Sequence, residues 1–184
     1  VEKMGLAQER LYTEDDYYNL PDNVRAELID GQFYNMSSPS RLHQSILGDL
    51  YFIIKQYIHQ KKGACKIYPA PFAVKLFSDR STIVEPDISV ICDKNKLTDR
   101  GCSGAPDWII EIVSPSNAKH DHIRKLNLYR DAGVREYWIV DPDEQAVLIY
   151  NFEHKTFESS TFSDTLRAGI YDDLFIDFSK FDLV

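Results

Sequence analysis

Residues 107–117 read DWIIEIVSPSN, with one glutamate in the middle of an apolar run. In an extended strand side chains alternate between faces. Trp108, Ile110 and Ile112 therefore point one way, and Ile109, Glu111 and Val113 the other. Both sets are apolar, the pattern of a strand covered on both sides rather than a surface strand. Glu111 is thus placed near an interior. Burying an ionised carboxylate costs about several kcal/mol unless a cation or hydrogen-bond donors compensate it. The strand calls for a counter-charge from elsewhere in the chain.

Working outward, SNAKHDHIRKLNLYRDAG (116–133) predicts a helix stopped by Gly133, and REYWIVD (135–141) a strand after it. This strand–helix–strand step, through residues 119–132, predicts a right-handed parallel crossover. Upstream, EPDISVICD (85–93) reads as a strand entered through Pro86, where a missing N–H does least harm. PSRLHQSILGDLYFIIKQYIHQKKG (39–63) is the longest helix, with Leu42, Ile46, Leu50, Ile53 and Tyr57 at three- and four-residue steps and Gly63 closing it. CKIYPAPFAVKL (65–76) suggests two strand pieces broken by Pro69 and Pro71, and RGCSGAP (100–106) a Gly/Ser-rich loop.

Near the N-terminus, YTEDDYYNLP (12–21) has Thr13 as helix cap and Pro21 as stop. RAELIDGQFYNMS (25–37) reads as a hairpin around Asp30-Gly31. Past DPDEQ, AVLIYNF (146–152) and a strand from Thr156 to Phe162 form an antiparallel meander, followed by a short apolar tail. The fold class is a mixed α/β sheet with helices packed on it. One domain spans residues 1–184, with a core over about 40–141, an N-terminal helix and hairpin at 13–36 and C-terminal strands at 146–178.

Composition narrows the function. Hydrophobic residues make up 43% of the 184 and charged residues 27%, the balance of a soluble globular protein. No apolar run approaches the ~20 residues of a membrane span, and VEKMGLAQERLYTEDD has no apolar core of a secretory leader. Cys65, Cys92 and Cys102 form no CxxC pair and predict no disulfide framework, which points to a reducing cytoplasm and away from a structural zinc site. A net charge of −8 argues against an overtly basic nucleic-acid binder. It leaves room for an acidic, metal-dependent nuclease whose positive charge is local.

Two strand carboxylates, Asp87 and Glu111, meet at one sheet edge if their strands are neighbours. Two acids sharing a site repel unless a cation lies between them. Oxygen ligands at that density suit Mg²⁺, which takes one or two carboxylates and can activate water against a phosphoryl group. The alternative is a buried acid paired to a nearby Lys or Arg. Glu27 is a third candidate acid, whose periodicity also fits an exposed hairpin position. AKHDHIRK (118–125) reverses the local charge, and the SPSN turn before it, with Ser114 and Ser116, sets a helix N-terminus suited to anions. Lys125 can reach back to Glu111, or form an ordinary helical pair with Asp121 four residues away. His43 opens the long helix as a base or as a structural hydrogen-bonder.

AELIDG, SPSRLHQ, EPDISVICD, PDWIIEIVSPSN and DHIRKLNLYRDAGVREYWIVDPDEQAVLIY, in this order and spacing, resemble the Uma-two family of restriction-endonuclease-like proteins, over roughly Thr13 to Phe178. The resemblance implies the PD-(D/E)xK nuclease superfamily, with a helix, three strands, a helix and a strand around a mixed sheet. It implies Asp87 and Glu111 as ligands of Mg²⁺ or Mn²⁺, with Glu27 as a third. The superfamily lysine position is Val113, and the resemblance moves that role to Lys125, with His43 and Glu27 as further catalytic-site members. Arg124, Ser114 and Ser116 are implied as substrate contacts. The implied partner is nucleic acid, DNA in particular, with no membrane and with a homodimer suited to cutting a duplex. The competing readings are a nuclease-like module that binds nucleic acid or protein without cutting, and a structural dimer with a vestigial pocket. For the aromatic strands around Tyr137, Trp138, Tyr150 and Phe152, core and interface are both open.

Overall fold

The computed structural model of the chain describes residues 10–114 and 119–183, with backbone alone at 119–121. Helix α1 (Glu14–Tyr18) is closed at its start by a Thr13–Asp16 capping box. Strands β1 (Ala26–Ile29) and β2 (Gln32–Asn35) form the expected hairpin, with Asp30 and Gly31 both at positive φ in the turn. Helix α2 (Arg41–Gln60) follows; the Ser40 side chain caps it by accepting the His43 N–H at 3.1 Å. Its residues Ile46, Leu50, Ile54 and Ile58 recur every four positions and are buried. At its end Gly63 donates to Ile58, but the left-handed residue is Lys62, one position earlier.

The middle of the chain supplies β3 (Lys66–Pro69), β4 (Val74–Lys75), β5 (Ile83–Val84), β6 (Ile88–Ile91), β7 (Leu97–Thr98), β8 (Gly101–Ser103) and β9 (Trp108–Ile112). Helix α3 (Lys119–Ala132) leads to β10 (Glu136–Asp141), β11 (Ala146–Asn151), β12 (Thr156–Thr161), β13 (Thr165–Arg167) and β14 (Phe175–Asp177). These build two six-stranded sheets, ordered β12-β11-β10-β9-β6-β3 and β2-β1-β5-β4-β8-β7, and a separate β13–β14 ribbon. The α+β class agrees with the sequence reading, whereas the division into two sheets was not anticipated. Segments of two or three residues such as β4, β5 and β8 are too short to carry a periodic signal. The expected loop at 100–106 contains one of them.

β9 lies inside the larger sheet, parallel to β10 and antiparallel to β6. All five of its residues are buried. Trp108, Ile110 and Ile112 pack with the α2 isoleucines and with Leu166, Ile176 and Phe178 of the C-terminal segment. Ile109 packs on the other side with Leu128, Tyr129, Tyr137 and Ile139, so the aromatic residues Tyr137 and Trp138 are core. The apolar tail is thus a folded part of the first core. Among the described residues no helix is long and apolar enough to cross a membrane.

One cysteine expectation is corrected. Lys66 and Ile91 are register partners at the end of the β3–β6 ladder. The next residues outward, Cys65 and Cys92, are joined as a disulfide, while Cys102 is free and buried. Their separation of 27 residues hides a cross-strand juxtaposition that only the register produces. The inference of a reducing compartment from unpaired cysteines loses its premise.

A second buried strand glutamate, Glu136 on β10, is held entirely by the chain. Its carboxylate accepts N–H bonds from Trp138 Nε1 (2.6 Å), Gly169 (2.9 Å) and Ile170 (2.8 Å). A Cβ at Gly169 would lie 2.4 Å from Asn151 Nδ2 and 2.8 Å from Glu136 Oε2, so only glycine permits this approach. Each buried donor left without a partner costs about 1–3 kcal/mol. Glu136→Ala should therefore lose about 2–5 kcal/mol in urea denaturation, and Gly169→Ala should destabilise as well. A loss below about 1 kcal/mol for Glu136→Ala would show that the 169–170 turn is held by something else.

Candidate active site

The β6–β9 register pairs Ile88 with Ile110. Continued by one residue, it sets Asp87 opposite Glu111 at the mouth of the sheet. Asp87 Oδ2 accepts the Ile112 N–H at 2.7 Å and lies 3.1 Å from His43 Nε2 on α2. Burial acts to lower the His43 pKa, but the hydrogen bond and charge of Asp87 outweigh it, and the net shift is upward.

Glu27 comes from β1 of the other sheet and is only 4% exposed, so the exposed-hairpin alternative is set aside. Its Oε1 accepts the Glu85 N–H at 3.0 Å, which ties β1 to the approach of β6. Lys125 reaches the site from α3. Its buried Nζ lies 2.9 Å from Glu27 Oε2 and 3.0 Å from Glu111 Oε1. Val113, where the sequence resemblance implies a lysine, packs into the second core, with its N–H on Val140. The cation arrives from the helix instead.

Sequence reasoning missed Tyr129, whose hydroxyl donates to Glu111 Oε1 at 2.7 Å. The signal was present: Tyr129 is four residues beyond Lys125, on the same helical face. It also missed Glu85, which accepts from Tyr17 (2.8 Å) and Arg25 (2.8 Å) beside the site. Arg124 lies over the Tyr34 ring, 4.3 Å from its centroid. Both line a cavity of about 320 Å³ with Arg25, Ser114, His43 and the three acids. Ser116 and the Asp121 side chain, on which the anion-binding turn and the Asp121–Lys125 pair depend, lie outside the described residues.

Burial is the main cause that raises the Glu111 pKa, to about 7. Lys125 pulls it down, Asp87 and Glu27 push it up, and Tyr129 pulls down again. Among the described residues no three His, Cys, Asp or Glu side chains are arranged to hold a metal ion. Lys125 engages Glu27 and one oxygen of Glu111. No hydrogen bond from the described residues reaches Asp87 Oδ1 or Glu111 Oε2. Both residues line the cavity, and two carboxylates beside such a space fit Mg²⁺, which uses one or two carboxylates and keeps several waters. Glu27 holds the lysine and lines the same cavity as that pair.

The chain belongs to the Uma2 family, described as "Putative restriction endonuclease", whose pattern matches residues 14–175. It shares its fold with the crystal structure of "a putative nuclease belonging to DUF820" from Anabaena variabilis, at a TM-score of 0.72 and 22% identity, over 86% of this chain and 89% of that one. It is 25% identical over 126 residues to an uncharacterized protein of Synechocystis sp.. That match covers 68% of this chain and 65% of the relative, just under two thirds of its length.

The raised Glu111 pKa has a pH signature. A carboxyl group whose folded pKa exceeds its ordinary 4.5 binds protons more tightly folded than unfolded, so its stabilisation is present below that value and is lost as pH rises through about 7. Glutamine does not titrate. The melting temperature of Glu111→Gln minus that of wild type, in EDTA, should rise between about pH 5 and pH 8. A flat difference would mean that Lys125 neutralises the carboxylate completely.

Proposed function

We propose that this protein is a metal-dependent endonuclease that hydrolyses phosphodiester bonds, with DNA as substrate. The observation that carries the reading is the meeting of Asp87 and Glu111 at the end of adjacent strands, where both line one cavity beside a buried lysine. Asp87 and Glu111 would hold Mg²⁺ or Mn²⁺. Such an ion, when bound, polarises a phosphoryl oxygen and makes water a stronger nucleophile. Lys125, fixed by Glu27 and Glu111, supplies positive charge where a pentavalent phosphate accumulates negative charge. His43 and the Ile112 N–H orient the Asp87 carboxylate. Arg124 and Arg25 offer guanidinium groups to the flanking phosphates.

One observation favours a second reading, a module that binds nucleic acid or protein without cutting. Lys125 Nζ already lies between Glu27 and Glu111, where it neutralises the acids without a metal. Calorimetric titration of Mg²⁺ and Mn²⁺, paired with plasmid cleavage, separates the two. The endonuclease reading expects saturable metal binding that strengthens above about pH 7 as Glu111 ionises. It also expects cleavage that falls at least about 100-fold in Asp87→Asn and Glu111→Gln, the scale of losing a charge-stabilising group. Metal binding absent from wild type at millimolar levels, together with an uncut plasmid, would leave the binding module.

A further inference from the structure

Helix α2 starts in the catalytic pocket and runs away from it. Its first turns place His43 and Gln44 in the cavity wall. Its exposed stripe then continues through Gly48, Phe52, Lys55, Gln56 and His59, steps of three and four residues along one helical face. Phe52 is 62% exposed. Two depressions adjoin on this stripe and share Lys55 and His59. One, of about 320 Å³, is also lined by Tyr51, Phe52 and Gln56; the other, of about 400 Å³, by Lys62 and Lys66.

The charge of this face opposes that of the protein. A chain with 29 Asp and Glu residues and a net charge of −8 has none between Asp49 and Asp79. Lys61 is neutralised by Asp173. Lys55, Lys62 and Lys66 are exposed, and among the described residues they form no ion pair. A helix C-terminus favours cations in its last turn, which accounts for Lys61 and Lys62. It does not account for Lys66 on β3, Lys55 further up the helix, or an exposed phenyl ring beside them. Exposed basic side chains interleaved with an aromatic are the pattern of a surface that tracks a single-stranded backbone and stacks its bases.

We propose that the outer face of α2 is a binding track for single-stranded nucleic acid, leading the strand away from the catalytic pocket. Phosphates lie on Lys55, Lys62 and Lys66, and an unpaired base stacks on Phe52. The proposal rests on the endonuclease reading in taking the pocket as the track's other end. From His43 to His59 the helix rises about 24 Å, a span of about seven nucleotides at duplex spacing and fewer in an extended strand. In an acidic protein such a track supplies the local attraction that net charge withholds.

The test is fluorescence anisotropy of labelled oligo(dT) of graded length, in EDTA so that no strand is cut, across a range of salt. Wild type is compared with Lys55→Gln/Lys62→Gln, Lys55→Arg/Lys62→Arg and Phe52→Ala. All these side chains are exposed, so melting temperatures should be unchanged. Removal of two phosphate contacts should flatten the log affinity–log salt slope by about 1.4, and the arginine pair should restore it. Phe52→Ala should weaken binding about tenfold. Affinity should fall for oligomers too short to span the helix. Equal slopes, no binding of oligo(dT) by wild type, or capture by anionic vesicles in its place would overturn the track. So would a preference for duplex that is indifferent to Phe52→Ala. Track effects in a protein that cuts nothing would bring down the catalytic reading alone, and cleavage of single-stranded circular DNA indifferent to these substitutions would bring down the track alone.

Discussion

Lys125 is the side chain on which the site depends. Its buried ammonium joins Glu27 on β1, 98 positions away, to Glu111 on β9, the strand that precedes its own helix α3. Two buried carboxylates without that charge would repel each other and resist desolvation. With it, the two sheets are clamped at one corner. The same ion pairs keep Glu27 and one oxygen of Glu111 occupied.

The two buried strand glutamates show how neighbouring positions can serve different ends. Glu136 is surrounded by N–H donors of Trp138, Gly169 and Ile170, and its carboxylate anchors the C-terminal segment over the first core. Glu111, one strand away, receives a lysine and a tyrosine hydroxyl on one oxygen only. A fully bonded carboxylate is a structural fastener. A partly bonded one, beside Asp87 and a cavity, retains capacity for a ligand; burial raises the pKa of both glutamates, that of Glu111 to about 7.

Much of this was legible in particular residues. The alternation in 108–113 placed β9 between two cores, and the apolar steps of α2 and the Asp30-Gly31 turn identified their elements. Asp87, Glu111 and Lys125 were recognisable as charges needing one another. Less visible were the short strands of the second sheet, which bury residues without repeating a pattern, and the C-terminal ribbon, whose Leu166, Ile176 and Phe178 complete the first core. Tyr129 was hidden because a helical tyrosine reads as core until its hydroxyl's partner is known. Cys65 and Cys92 were misread for a related reason: sequence separation does not report register.

By itself the sequence determined which segments are buried strands and amphipathic helices, because burial and periodicity are local properties of the side chains. It also carried the family pattern, which motif order and spacing preserve. Only the tertiary structure decided that Glu27 is buried in the same cavity wall as Asp87 and Glu111, and that Lys125 lies between two glutamates. Those outcomes depend on strand pairing and on distances of about 3 Å, the reach of a hydrogen bond. No local pattern encodes a contact between residues 98 positions apart, as Glu27 and Lys125 are.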